Sequence, residues 1–202
     1  MKGFYLAVIC ISLFACTQEH VSLEGLQSYI ADEDNGLQKS IEIDGTQITV
    51  TYRPTDLIVD QEIGDEQVDK ETLLSIQKRY SSSYYFVVSL AKEHKDIMQQ
   101  VAGKVDYSEL VQTLSFHMPA YTFLTTSKMD TIAVGDFALN RSFGFSNSTD
   151  LLFVFSRNDV KPDDDWVEFN LNEFGLGAGH QRFRFSLSDI AKTPQLEFDI
   201  KE

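Results

Sequence analysis

The residues of this chain whose types could support catalysis or metal binding are few and widely spaced. A zinc-protease helix needs two histidines four residues apart with a glutamate beside the first, and His94, His117 and His180 do not fit that pattern. The chain also lacks a Gly-x-Ser-x-Gly sequence around a serine nucleophile. We therefore predict no catalytic residue, no metal ligand and no cofactor. A triad built from distant segments remains open, because its order is not fixed by sequence.

Two arginines on one predicted strand are the best candidates for a binding group. Residues 181–187 alternate in period two, so Arg182 and Arg184 share one strand face and the apolar side chains occupy the other. Adjacent guanidinium groups suit carboxylates and acidic or sulfated glycans. The alternative is cross-strand pairing with an acid such as Glu168 or Glu173. We name Arg182 and Arg184 as candidate anion-binding residues and leave both interpretations open.

Two further motifs resemble ligand loops but lack the required context. The glycine-rich stretch at residues 175–179 precedes a predicted strand, whereas a phosphate-binding loop opens a helix. We therefore predict a turn or bulge there. The acidic runs at residues 32–34 and 163–165 do not fit the twelve-residue calcium loop, and adjacent acids usually lie in solvated turns. A weak calcium site in so acidic a chain stays open.

The amino terminus predicts export from the cytoplasm. Residues 1–3 carry one positive charge, residues 4–14 are uncharged and mostly apolar, and Ala15 precedes Cys16. A basic start, a short apolar run and a small residue before the cleavage point are typical of a secretory signal peptide. The run is too short for a permanent membrane helix, which needs about 20 residues. Cys10 would leave with the leader, so the mature body would have no thiol for a disulfide.

The residues around the cleavage point are more specific. Leu13-Phe14-Ala15-Cys16 resembles the lipobox of bacterial lipoproteins, in which a leucine lies three residues before the cysteine and a small residue directly precedes it. The resemblance implies that residues 1–15 are a signal peptide and that the Cys16 thiol carries a diacylglycerol with palmitate-type acyl chains. Residues 16–21 would then be the lipidated cysteine and its tether, and residues 22–202 would form one globular domain.

Part of the body carries a second likeness. Asn35-Gly36-Leu37, followed by residues 52–57, looks like a stretch found in uncharacterised lipoproteins of Gram-negative bacteria. We associate no activity with that group, so the likeness assigns no functional residue. It agrees with the lipobox in predicting an envelope protein of a Gram-negative bacterium.

The charge of the chain restricts its partners. Seventeen Lys and Arg stand against 31 Asp and Glu, which gives −14; loss of Lys2 with the leader leaves 16 against 31, or −15. Such a chain is repelled by nucleic acid phosphates and by anionic lipid. The acyl chains would therefore provide the anchor, at about 0.8 kcal/mol for each buried methylene. The expected partners are the membrane, through Cys16, and other envelope proteins or glycans.

The candidate residues must be positioned by the secondary structure of the body. Its sequence patterns predict an α+β domain, with a mostly antiparallel sheet of about eight strands and two or three inserted helices. Alternation on both sides of Asp44-Gly45 predicts a β-hairpin, and the apolar run at residues 84–90 predicts a central strand. Helical patterns cover residues 23–30, 65–80, 92–102 and 106–116. Later strand patterns cover residues 121–126, 131–139, 151–156, 166–171, 181–187 and 195–200.

Together these features favour an outer-membrane-anchored lipoprotein that acts as a non-enzymatic accessory or binding module of the cell envelope. The alternative is an envelope hydrolase that acts on glycan, peptidoglycan or ester substrates. A deep pocket with convergent carboxylates or histidines would favour the hydrolase, and a flat aromatic patch would favour the binding module.

Overall fold

A computed structural model describes residues 20–101, 107–140 and 147–201 of the chain, so Cys16 lies outside the described residues. The helices are α1 (Leu23–Ala31), α2 (Thr55–Ile63), α3 (Lys70–Tyr80), α4 (Ile97–Val101), α5 (Tyr107–Gln112) and α6 (Leu187–Ala191). The strands are β1 (His20–Val21), β2 (Gln38–Ile43), β3 (Thr46–Arg53), β4 (Val68–Asp69), β5 (Ser83–Lys92), β6 (Lys95–Asp96), β7 (Thr122–Thr126), β8 (Thr131–Ala133), β9 (Asp136–Asn140), β10 (Thr149–Ser156), β11 (Trp166–Leu171), β12 (Gln181–Ser186), β13 (Gln195–Leu196) and β14 (Ile200–Lys201).

Most of the strands belong to two antiparallel sheets. The larger sheet has the order β2-β3-β5-β10-β9, with β6 also paired to β5, and the smaller has the order β12-β11-β7-β8. The predicted α+β class with mostly antiparallel strands is confirmed. Two pairs of two-residue strands, β1 with β13 and β4 with β14, are parallel and lie outside these sheets. The structure describes more elements than the sequence predicted, because several are only two to five residues long.

Phenylalanines from both sheets meet in the main core. Phe169 of the smaller sheet lies 5.6 Å from Phe86, 5.6 Å from Phe153 and 5.9 Å from Phe155 of the larger sheet, between ring centroids. Phe185 lies 5.0 Å from Phe86. All five side chains are fully buried. Such tilted and edge-on pairs contribute about 0.5–1.5 kcal/mol each beyond the burial of their area.

The predicted hairpin is confirmed, and it sets which side chains face this core. Asp44 and Gly45 both have positive φ, 48° and 72°, as a two-residue hairpin turn requires. The resulting register pairs Ile43 with Thr46 and continues along β2 and β3. Alternate residues of β3, beginning with Thr46, are buried, and the residues between them lie on the opposite face of the sheet.

The segment between β3 and β5 differs from the prediction of one helix over residues 65–80. It contains two helices, because Gly64, with φ 57°, ends α2. The second helix, α3, begins only at Lys70, since the Asp69 side chain accepts the backbone N–H of Thr72 at 2.8 Å and caps it. The two helices share a small separate core of Val59, Leu73 and Ile76.

Residues 92–102 are not the single helix predicted for them. Glu93 and His94 have positive φ, 52° and 60°, and turn the chain back so that β6 pairs with the end of β5. Of the described residues in this range, only Ile97–Val101 is helical. The helix predicted for residues 106–116 is α5, which passes into a π-helical turn at Thr113–His117; Asp106 itself lies outside the described residues.

The strand predicted for residues 131–139 is two strands in different sheets. β8 pairs with β7 of the smaller sheet, and β9 pairs with β10 of the larger one. The chain crosses between the sheets at residues 134–135, where the Gly135 N–H donates to the Val154 carbonyl at 2.8 Å. The strand predicted for residues 195–200 is likewise divided into β13 and β14.

The first described residues are held in the fold. His20 and Val21, which the sequence analysis placed in the tether, pair with Gln195 and Leu196. The Leu196 N–H also donates to the Asp56 carboxylate at 2.8 Å. A tether from Cys16 would therefore end before His20.

We expect Phe169→Ala to lower the free energy of unfolding by about 3–5 kcal/mol, because it leaves a cavity where the two sheets meet. Phe116→Ala is the matched control: this side chain is 71% exposed, so its loss should change stability by less than about 0.5 kcal/mol. Urea denaturation of the purified variants measures both. Equal effects of the two substitutions would show that Phe169 is not central to the core.

Candidate functional site

The outward face of the larger sheet carries a row of small polar side chains. Ser40, Thr49, Ser89 and Asp150 occupy successive strands at the same level, as the pairing of β2, β3, β5 and β10 shows. They are half-buried or exposed, whereas their neighbours along β3, β5 and β10 are buried in the core. The Ser40 and Thr49 hydroxyls lie 2.9 Å apart and share a hydrogen bond. We call this surface the polar face; it comprises Gln38, Ser40, Gln47, Thr49, Thr51, Val87, Ser89 and Asp150.

The polar face holds two cavities that follow one another along β3 and β5. The larger, about 550 Å³, is lined by Thr49 and Ser89 together with His94 from the β5–β6 turn; we call it the His94 cavity. The smaller, about 310 Å³, is lined by Thr51 and Val87, two residues further along each strand. Both volumes fall in the range of small-ligand sites.

The larger cavity offers hydrogen bonds rather than charge. Besides its hydroxyls, its wall includes the amide side chains of Gln38, Gln47 and Asn147. Among the described residues that line it, His94 is the one titratable side chain. A single histidine without a paired carboxylate or nucleophile does not make an acid–base system, whereas amides and hydroxyls can both donate and accept hydrogen bonds. This wall is suited to recognising a neutral polar ligand.

The smaller cavity contains a charged group from the end of β3. The Arg53 Nη2 donates to the Leu57 carbonyl at 3.3 Å and to the Gln61 side-chain oxygen at 2.9 Å. Its Nε is buried and has no hydrogen-bond partner. Burial lowers the pKa of Arg53, while the nearby Asp60 carboxylate acts in the opposite direction. We call this space the Arg53 cavity.

The two predicted anion-binding arginines lie on the outward face of the smaller sheet. Arg184 pairs with Glu168 across the strands at 3.1 Å and lies over the Trp166 ring at 3.9 Å. Arg182 is exposed opposite Asn170. The structure therefore brings the two arginines to one face, as predicted, and gives Arg184 the cross-strand partner that the sequence analysis held as the alternative.

The glycine-rich loop binds a carboxylate of its own chain. It connects β11 to β12, as the predicted turn required, and Glu173 accepts the backbone N–H groups of Gly175, Gly177 and Gly179 at 2.7, 2.8 and 2.5 Å. Burial raises the pKa of Glu173, but these hydrogen bonds outweigh burial and hold its pKa below the usual value. The amides that a phosphate would need are thus already used.

Sequence analysis missed this role of Glu173, although a local signal was present. The acid comes two residues before the first glycine of a Gly-x-Gly-x-Gly sequence, within reach of the loop amides. In the same loop, His180 Nδ1 lies 2.6 Å from the Asn172 side-chain oxygen. The Glu173 hydrogen bonds and the His180–Asn172 contact therefore hold the conformation of the loop and do not leave its amides open to a ligand.

Of the acidic runs, residues 163–165 contribute a buried structural group. The Asp164 carboxylate accepts hydrogen bonds from the Ser127 hydroxyl at 2.8 Å and from the Lys161 N–H at 2.9 Å. Burial raises the pKa of Asp164, and these hydrogen bonds lower it further than burial raises it. In the run at residues 32–34, Asp32 caps a short 3₁₀ helix. Within residues 20–101, 107–140 and 147–201, no group of three or more His, Cys, Asp or Glu side chains is placed to hold a metal ion.

Comparisons with known proteins assign no family. No family model and no curated protein matches the chain. A solved structure from Burkholderia pseudomallei, described as a novel protein of unknown function, is distantly similar: 12% identity, 86% of this chain and 93% of that chain covered, and a TM-score of 0.42.

Among the helices of the described segments, none has the length and apolar character needed to span a membrane.

We expect Glu173→Gln to lower the free energy of unfolding by about 1 kcal/mol at pH 7, a modest loss because the carboxylate is partly exposed to water. The pKa of Glu173 is lowered in the folded state, so its stabilisation is complete above about pH 4.5 and disappears as the pH falls through the lower, folded-state value. The difference from the wild type should therefore shrink on acidification. Urea denaturation from pH 7 to pH 3 measures it.

The matched control for this experiment is Glu66→Gln, which changes an exposed acid in the turn after α2. It removes the same charge without touching the glycine loop, so its effect on stability should be within about 0.5 kcal/mol at every pH. If the two variants follow the same pH dependence, the Glu173 hydrogen bonds do not stabilise the fold.

Proposed function

We propose that this protein is a lipoprotein anchored to the outer membrane through Cys16, and that it acts as a non-enzymatic binding module for another component of the cell envelope. The polar face is the recognition surface of the module. The single observation that supports this most strongly is the pair of adjacent cavities on that face, since their walls combine hydroxyl and amide groups with few charges. Such groups recognise a ligand through hydrogen bonds without changing it.

The hydrolase alternative has less support from the geometry. Glu109 and Glu173 line a third cavity, of about 390 Å³, which lies beside α5 and the glycine loop. A glycosidase of this kind needs one carboxyl to act as an acid, with a raised pKa, and the other as a base or nucleophile. Glu173 is instead held by three backbone N–H groups and its pKa is lowered. Its lowered pKa makes it a poor proton donor, and both of its carboxylate oxygens are engaged by the loop, which also makes it a poor base or nucleophile.

The outward face of the smaller sheet gives the proposed module a second contact surface. Arg182 is exposed, and Arg184 is held in place by Glu168 and Trp166. In a protein of formal charge −14, exposed guanidinium groups attract an acidic partner locally. We retain Arg182 and Arg184 as proposed contacts for an anionic group of an envelope protein or glycan, with Arg182 the more accessible of the two.

The proposed anchor would keep the domain near the membrane surface. Only residues 17–19 separate Cys16 from His20, the first residue held by β-pairing. Four Cα-to-Cα steps reach at most about 14 Å in an extended chain. The partner would accordingly be a component at or near the same membrane.

Cys16→Ser should move the protein from the membrane fraction into a soluble or unprocessed form, because the serine hydroxyl does not form the thioether that carries the lipid. Cys10→Ser is the matched control, since it lies in the predicted leader and should leave membrane retention unchanged. Fractionation combined with mass spectrometry of the processed amino terminus measures both variants. Retention of the Cys16→Ser protein in membranes at the wild-type level would contradict the lipid anchor.

Thr49→Arg should reduce partner capture from solubilised membranes at least tenfold, because a long charged side chain would fill the His94 cavity on the polar face. Gln67→Arg places the same side chain on an exposed position before β4, outside both proposed contact surfaces, and should leave capture unchanged. Quantitative cross-linking and mass spectrometry compare the variants, with melting temperatures confirming that both are folded. Equal capture by both variants and the wild type would contradict the role of the polar face.

A further inference from the structure

The Arg53 cavity is built by a sharp change from strand to helix. Pro54 ends β3 and precedes the first residue of α2, so Arg53 at the strand end faces the first turns of the helix. Leu57, Asp60 and Gln61 are spaced three and four residues apart and therefore share one face of that helix. This face and Arg53 form one wall of the cavity, and α1 contributes another through residues that include Leu23.

The cation in this cavity is fixed in position but incompletely satisfied. The carbonyl of Leu57 and the side chain of Gln61 hold the Arg53 Nη2, so the guanidinium plane is set before any ligand arrives. The buried Nε has no acceptor. A carboxylate that enters the cavity would give the positioned guanidinium an acceptor of opposite charge.

A second charge of opposite sign lines the same cavity. Asp60 lies close enough to influence the Arg53 guanidinium electrostatically. Among the ion pairs formed within the described residues, however, neither Arg53 nor Asp60 takes part. The two charges thus line one cavity without forming a direct ion pair. A cavity with an anion site and a cation site side by side suits a ligand that carries both charges.

Part of the wall is apolar and is formed by Leu23, which is 38% exposed, and by Ile30, Leu57 and Val87. Gln27, Thr51 and Tyr52 complete the lining. At about 310 Å³ the cavity is at the lower end of ligand sites, so the ligand must be small. We propose that the Arg53 cavity binds a free α-amino acid with an apolar side chain, with its carboxylate on Arg53 and its ammonium group on Asp60. This inference rests on the proposed binding role but not on the lipid anchor.

Calorimetric titration of the purified full-length protein tests the two charge contacts separately. The probes are leucine, methionine and phenylalanine, together with N-acetylleucine, which lacks the ammonium group, and leucinamide, which lacks the carboxylate. We expect saturable binding of at least one of the three amino acids, and at least tenfold weaker binding of each leucine derivative than of leucine. Absence of saturable binding by all three, or binding of a derivative as tight as that of leucine, overturns the proposal.

Two substitutions assign the contacts. Asp60→Asn should abolish the preference for leucine over N-acetylleucine while keeping the preference over leucinamide, and Arg53→Gln should do the reverse. Each preference is a ratio within one protein, so it does not depend on how stable the variant is. If Arg53→Gln fails to fold, Asp60→Asn alone still decides the assignment. Preferences that stay unchanged in Asp60→Asn overturn the proposal.

The result is separable from the test of the binding module. Thr49→Arg lies in the His94 cavity and should leave leucine binding unchanged while reducing partner capture. If the wild-type protein captures its partner but does not bind leucine, only the ligand assignment is overturned. If it binds leucine but Thr49→Arg does not reduce partner capture, only the wider proposal is overturned.

Discussion

The packing of phenylalanines between the two sheets is the constraint on which the rest of the structure depends. Phe169 contacts three rings of the opposite sheet, and all of them are fully buried. Since side chains alternate along a strand, burying Phe86 and Phe153 also determines which residues of β5 and β10 point outward. A shift of either strand by one residue would bury polar groups and expose the aromatic rings. The polar face is therefore the direct consequence of how the core is packed.

The same constraint explains how local breaks in the chain place functional groups beside the polar face. Pro54 ends β3 and turns the chain into α2, which sets Asp60 beside Arg53. At the opposite end, positive φ at Glu93 and His94 ends β5 and leaves His94 in the wall of the larger cavity. The sheet supplies a rigid surface, and the segments that follow its strands place Asp60 at one end and His94 at the other.

The sequence was informative for two local strand patterns, although the local helical pattern over residues 92–102 was misleading. Alternation around Asp44-Gly45 and the period of β12 identified the hairpin and the shared face of Arg182 and Arg184. The prediction failed where the structure depends on distant strands. Residues 131–139 were predicted as one strand, because the local sequence does not show that β8 and β9 pair with different sheets. The polar face escaped prediction for the same reason, since Thr49 and Ser89 become neighbours only through strand pairing. The lipid anchor at Cys16 remains a sequence prediction.

The central claim is that the polar face recognises an envelope partner. Photo-crosslinking in intact cells tests it most directly, with the photoreactive residue placed at position 49 or at the exposed position 67, which lies outside both proposed contact surfaces. We predict one defined cross-linked product from position 49 and none from position 67. Absence of a product from position 49, or the same product from both positions, would contradict it.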